Sequence, residues 1–363
     1  MEQPQPPRTL RGVLELNFAW AWVAGGVMAL ATALIAAIAE LPVLDPDAVV
    51  AGVPAYVRMP AIVLGAIALD IIGVTLWRAW RDREERRGLQ WREVTRDRWQ
   101  RTHLLFALSG VGAWYLTYAT FRNLKSYVPF VNHHNWDAEM RKVDEWLWFG
   151  HDPAQVMHDL LGTGWAAHFF SGVYVVWIVL VPASIAIALV FVRNRPASSW
   201  YVTAVAFDWM LGAAVYFALP SLGPVFTEAQ RGQFADLPQT YNTHLVEVLW
   251  TDRVAVVSDV FGAGTLQTIA AFPSLHCGIM VTICLVAEYV GLPRWLRTLA
   301  WAFLVLTMLS TLYLGWHYFV DVLGGAAIGS FAVWAAAMAT GNRVGLRPRL
   351  MRSEPADSET VSA

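Results

Sequence analysis

Lysine is nearly absent from this chain: of 26 basic residues among 363, only Lys125 and Lys142 are lysine. Charge of either sign is scarce too, at 15% of residues with a formal net charge of −2. No basic run interleaved with aromatics occurs, so nothing points to nucleic acid as a partner. Cysteine is limited to Cys277 and Cys284, seven positions apart in one expected helix. At ~1.5 Å rise per residue their Cα atoms lie roughly 10 Å apart, beyond the reach of a disulfide. Both therefore read as buried thiols, and they say nothing about redox compartment.

What the chain has in abundance is apolar surface: 56% hydrophobic residues and 19 tryptophans. The apolar residues come in long blocks rather than amphipathic stripes, which makes a bilayer the expected solvent. Eight membrane-spanning helices are predicted, at 17–39, 61–77, 104–121, 165–192, 200–219, 277–291, 298–314 and 319–338. The fold class is thus an all-α integral membrane protein. The first block follows Arg8 and Arg11, so a signal peptide competes with an uncleaved anchor. Its length and the lack of a small-x-small site favour the anchor.

Arginines fall on one side of this arrangement. Arg78, Arg81, Arg83, Arg86, Arg87, Arg92, Arg96, Arg98 and Arg101 follow the second helix. Arg193, Arg195, Arg294 and Arg297 occupy two short turns, and Arg343, Arg347, Arg349 and Arg352 the tail. That side is expected to be the cytoplasm. Both termini would lie there, in a plasma membrane, and the arginine preference is that of a GC-rich bacterial genome. The opposite segments, 40–60, 122–164, 220–275 and 315–318, are richer in acid. The two longest read as loops, and such loops usually carry function. Trp136, Trp146, Trp148 and Trp165 fit an interfacial cap over a lipid entrance. Residues 1–103 read as a two-helix extension, 104–340 as the functional core, and 341–363 as a disordered tail.

Two short motifs on the outer side carry chemistry. One is Phe272-Pro273-Ser274-Leu275-His276, the other Ser310-Thr311-Leu312-Tyr313-Leu314-Gly315-Trp316-His317-Tyr318-Phe319-Val320-Asp321. The intervening chain is long enough to cross a membrane and return, so His276 and His317 finish on one side. Asp321 lies one helical turn beyond His317, on the same face. A carboxylate there can accept Nδ1–H of the imidazole, leaving Nε2 free to attack phosphorus. His276 would give a proton to the leaving oxygen and then take one from the incoming hydroxyl. Pro273 suits a helix start, and Ser274 either caps that helix or donates to a phosphate oxygen. The bland reading of the His317–Asp321 pair alone is buried packing.

These motifs resemble those of the type 2 phosphatidic acid phosphatase superfamily, membrane branch, over about residues 104–338. The resemblance rests on Pro273-Ser274-x-His276, on Ser310, His317 and Asp321, and on Gly325 and Gly329 beyond them. It implies a six-helix core, no metal, no cofactor, a phosphohistidine at His317, and membrane lipids as donor and acceptor. It also implies that Tyr313 and Gly315 lie beside the substrate. Two features depart from the family pattern. Thr311 stands where an arginine usually follows the serine, and the string of Lys, six residues and Arg-Pro is missing. In its place stands Arg122-Asn123-Leu124-Lys125-Ser126-Tyr127-Val128-Pro129. In these departures the chain is similar to the inositol phosphorylceramide synthase branch. Lys125 and Arg122 are the expected phosphate ligands, because a phosphoryl group needs fixed positive charge. For Lys125 the alternative is a snorkelling interfacial lysine.

The expected activity is transfer of a phospho-head group, such as inositol phosphate, between lipids; a polyprenyl- or phosphatidate-type phosphatase is the alternative. A third reading, a channel or transporter bearing remnant motifs, requires that His317→Ala leave activity intact. Pro220-Ser221-Leu222-Gly223-Pro224 reads as a helix stop and turn, or as a wall of the substrate site. His133, His134 and Asp137 could suggest a metal site, but adjacent side chains seldom converge on one ion. Asp70, Asp208 and Glu288 fall inside predicted spans, where charge is costly.

Overall fold

A computed structural model describes residues 18–46, 55–81, 90–192 and 194–350. Arg8, Arg11, Arg83, Arg86, Arg87, Arg193, Arg352 and the tail beyond 350 lie outside those residues. The fold is all-α, with twelve α-helices among the described residues. They are α1 (Ala19–Ile38), α2 (Ala55–Arg81), α3 (Trp91–Arg98), α4 (Arg101–Val131), α5 (Asp137–Leu147) and α6 (Pro153–Leu161). There follow α7 (Trp165–Ala186), α8 (Arg195–Ala218), α9 (Tyr241–Ser258), α10 (Leu275–Val290), α11 (Arg294–Tyr313) and α12 (Phe319–Ala339). Seven of these are long and apolar enough to cross a membrane, and α10 is a shorter apolar helix. The chain is a multi-pass membrane protein, and the eight predicted spans correspond to these eight helices.

Helix α8 is the hub. Trp200, Val202, Ala204 and Val205 are almost fully buried, and α1, α4, α10 and α12 pack around it. Small residues set the closest crossings. A Cβ on Gly325 would meet the Ser274 carbonyl oxygen at 2.1 Å, and one on Gly329 the Gly278 carbonyl oxygen at 2.2 Å. Helices α10 and α12 can therefore touch backbone to backbone, which brings their N-terminal ends, and the two motifs, together. Asp208 reinforces this junction: its Oδ2 accepts from Thr282 Oγ1 at 2.7 Å, and Thr282 also reaches the Gly329 carbonyl.

Three sequence expectations are corrected. The segment 122–164 is not a loop: α4 continues ten residues past the predicted end, and α5 and α6 follow. Pro129 lies inside α4 and has no N–H to give the Lys125 carbonyl. Gln267 Nε2 supplies that missing donor at 2.8 Å, so the helix survives its proline. The segment 220–275 likewise contains α9. The tail is ordered to residue 350: Arg343–Val344 pairs with Arg347–Pro348, and Asn342 Nδ2 bonds the Pro196 carbonyl. Asp70, inside the second predicted span, takes Arg98 Nε and Nη2 at 2.9 and 2.6 Å, plus Trp99 Nε1 at 3.0 Å. It fastens α2 to the end of α3. Glu288 lies near the end of α10, held by Arg297 and Trp301.

Candidate active site

Ser274 begins the site. Its Oγ accepts from Cys277 N at 3.4 Å, capping α10, and its own N–H donates to the Asp321 carbonyl at 2.9 Å. The second bond joins the two motifs directly. Ser274 is fully buried, so of its two expected roles the cap is the one its contacts realise. His276 follows in the first turn of α10, between two rings of α7: Trp177 at 4.2 Å and Tyr174 at 5.0 Å between centroids. Trp177 Nε1 also donates to the His276 carbonyl at 3.1 Å.

His317 sits in the turn before α12. The Thr311 carbonyl receives the N–H groups of Trp316 (2.9 Å) and His317 (3.3 Å), which fixes that turn. His317 Nδ1 lies 3.2 Å from Asp321 Oδ2, and its Nε2 lies 3.0 Å from His276 Nδ1. Asp321 Oδ2 also accepts from Tyr318 N at 2.9 Å. A carboxylate can only accept, so Nδ1 of His317 carries the proton and Nε2 keeps its lone pair. His276 Nδ1 must then be the donor of the His–His bond. Burial pushes the His317 imidazole from the usual 6.5 down to about 3; the Lys125 charge adds to this and the Ala271 carbonyl opposes it. A neutral His317 is the form a nucleophile needs.

Lys125 reaches the histidines from α4, and its charge bears on both rings. Among the described residues its ammonium has no hydrogen-bond acceptor and no ion-pair partner. Its neighbours are the faces of Tyr216, at 5.0 Å, and Phe121, at 5.9 Å. A lysine with no acceptor among the described residues, beside two histidine rings, is a place for an anion. Arg122, three positions earlier, turns toward the Tyr118 hydroxyl at 3.1 Å, with its Nε buried and unpartnered. The structure thus gathers His276, His317, Asp321 and Lys125, and leaves Arg122 at the margin.

Tyr313 and Gly315 were expected beside the substrate, and both belong to the scaffold instead. The fully buried Tyr313 donates its hydroxyl to the Gly162 carbonyl at 2.6 Å. Gly315 has φ 73°, and a Cβ there would strike the Phe234 ring at 2.4 Å. Thr311, standing for the missing arginine, is buried, with its hydroxyl on the Met308 carbonyl.

Sequence reasoning passed over the supports. Asp137 accepts from Leu222 N and Gly223 N, holding the Pro220–Pro224 turn. That turn in turn holds both motifs: Ser221 bonds Ala271 N and Phe272 N, and the Gly315 carbonyl takes Val225 N. Asp144 accepts from Phe319 N at 2.6 Å and Val320 N at 2.8 Å, capping α12. Asp137, Met140 and Asp144 share the buried face of α5, a spacing visible in the sequence. His134 packs against Trp136 rather than joining Asp137. Gln267 also joins Arg253 Nη1, at 3.1 Å, to the Lys125 carbonyl.

The family model of the PAP2 superfamily matches residues 138–335, just over half of the chain. That span holds both histidine motifs and ends inside α12, while α4 with Lys125 precedes it. A search of the curated proteins and of the solved structures gives no match to this chain.

Proposed function

Since this chain belongs to the PAP2 superfamily, whose enzymes are metal-independent lipid-phosphate phosphatases or phosphotransferases, we propose that it transfers a phospho-head group between membrane lipids through His317. The observation that carries the reading is the linear array His276–His317–Asp321, with the unpartnered Lys125 beside it. His317 Nε2 attacks phosphorus, and the ester bond to the departing lipid alcohol breaks as His276, protonated on both ring nitrogens once the anionic donor is bound, gives one proton to its oxygen. The product is a phosphoryl–Nε2 bond still carrying the head group. The acceptor hydroxyl then gives its proton to His276 and attacks phosphorus, which frees His317. Asp321 holds the tautomer throughout.

Charge favours a diester donor. A phosphomonoester brings roughly −1.5 to −2 near neutrality, whereas a diester brings about −1. With Thr311 in place of arginine, and Lys125 the one Lys or Arg among the described residues whose charge bears on both histidines, the site fits the smaller charge. With a lipid alcohol as acceptor the enzyme is a transferase; with a monoester donor and water as acceptor it is a phosphatase. The array lies on the side away from the arginine-rich turns, so the reaction belongs to the outer leaflet.

The test uses purified protein with a native lipid extract, wild type against His317→Ala, and mass spectrometry of the products. Head groups appearing on new lipids only with wild type establish the transferase. Phosphate release without new phospholipid establishes the phosphatase. Identical profiles from the two proteins, given a lipid that wild type converts, remove His317 from the chemistry.

A further inference from the structure

Phe149 stands at the tip between α5 and α6 with φ 56°, in the left-handed region, and its side chain is 93% exposed. That backbone conformation disfavours any residue with a Cβ, while glycine adopts it freely. Nothing within the fold compensates, because the ring touches almost none of it. Around the tip, Trp146 is 78% exposed, Leu160 77% and Trp165 77%. The other face of the hairpin is the opposite in character: Met140, Asp144, Ala154, Met157 and His158 are buried against the site's scaffold. The hairpin is therefore two-sided, with a bare apolar outer face.

This outer face continues into surface that lipid must cover. Trp165 opens the membrane-spanning α7 and stacks on Phe169, at 5.3 Å and 18°, which is itself exposed along α7. Tryptophan is the residue that settles at the head-group level, with an apolar body and a polar N–H. Arg141, Lys142 and Glu145 fringe the patch, as on helices lying flat in an interface.

We propose that the α5–α6 hairpin is an interfacial anchor, its outer face embedded in the head-group region of the leaflet on the active-site side, with Phe149 deepest. The anchor is tied to the catalytic helix. Asp144 caps α12 through Phe319 and Val320, and Trp148 meets the Phe319 ring edge-on at 5.6 Å. The depth of the hairpin thus sets the height of His317 and Asp321 above the acyl chains.

The experiment reads position alone and does not depend on any activity. Full-length Phe149→Cys is labelled with an environment-sensitive fluorophore and placed in lipid nanodiscs; Cys277 and Cys284 are buried, and unsubstituted protein measures their background. Lipids carrying a nitroxide near the glycerol should quench the probe severalfold more than aqueous iodide does. Gln155→Cys, on the polar side of α6, should show the reverse. Leu160→Cys should repeat the Phe149 pattern, and it stands in for Phe149→Cys if that variant misfolds. A probe quenched by iodide and indifferent to nitroxide lipid overturns the proposal. So does shielding from both quenchers that disappears when each disc holds one copy, since a second protein would then be the cover.

Discussion

Replacing Lys125 with methionine separates a phosphate ligand from a lysine that merely snorkels, because two effects of opposite sign follow. In the free protein the ammonium gains only two cation–π contacts, about 0.5–1 kcal/mol each, from Tyr216 and Phe121. Against this stands a desolvation penalty of several kcal/mol for a poorly hydrated, unpaired ion. Methionine fills a similar volume and needs no hydration, so Lys125→Met should stabilise the fold by about 1–2 kcal/mol. Catalysis should move the other way. Removing one preorganised donor to a reacting oxyanion costs about 10²–10³ in kcat. The assays are thermal unfolding in detergent and turnover on mixed-lipid vesicles. A higher melting temperature with a hundredfold slower enzyme is the expected pair. A lower melting temperature with unchanged turnover would refute the reasoning and leave Lys125 a snorkelling residue.

Acid should weaken the fold through His317. Its folded pKa is depressed to about 3 from 6.5, so the stability it contributes is complete above pH 6.5 and is lost as pH falls toward 3. Melting temperature against pH, compared with His317→Asn, should show a shallower acid slope in the variant. Gly223→Ala should cost about 2–3 kcal/mol and much of the activity, since φ is 98° and a Cβ would lie 2.4 Å from the Trp316 carbonyl oxygen; thermal unfolding and turnover measure both. Gln267→Leu strands the Lys125 carbonyl that Pro129 leaves open, at about 1–3 kcal/mol for a buried unpaired group; chemical denaturation checks it.

The gathering of His276, His317 and Asp321 was legible because the proposed chemistry needs particular residue types at helical spacings. A serine cap ahead of His276, and Asp321 four residues beyond His317, carry their geometry in the sequence. Helix α4 was misjudged past residue 121 because Pro129 and the polar run before it read as an end. Only Gln267, 142 residues from Lys125, makes the continuation possible, and no local pattern announces such a partner. Tyr313 and Gly315 were misplaced for a related reason. A motif gives proximity along the chain, while which side chain faces the substrate depends on Phe234 and Gly162, brought in from elsewhere. The ordered hairpin at 341–350 was hidden by its arginines, which resemble a solvated tail.

The bond between His276 and His317 keeps the proposed nucleophile latent until a ligand parts the two rings. At 3.0 Å the lone pair that would attack phosphorus is stoppered by the proton that would later be delivered. A membrane presents this nitrogen with a vast excess of phosphate esters and stray electrophiles, and the stopper leaves it dull toward all of them. Arming comes only with a ligand whose own oxygen can take over the His276 proton while its phosphorus faces His317. Inhibitors that fit the resting cavity and inhibitors that wedge the two rings apart therefore answer to different shapes of one site. A carbethoxylating reagent would measure the difference, being slow on the resting protein and faster when a bound anion holds the rings open.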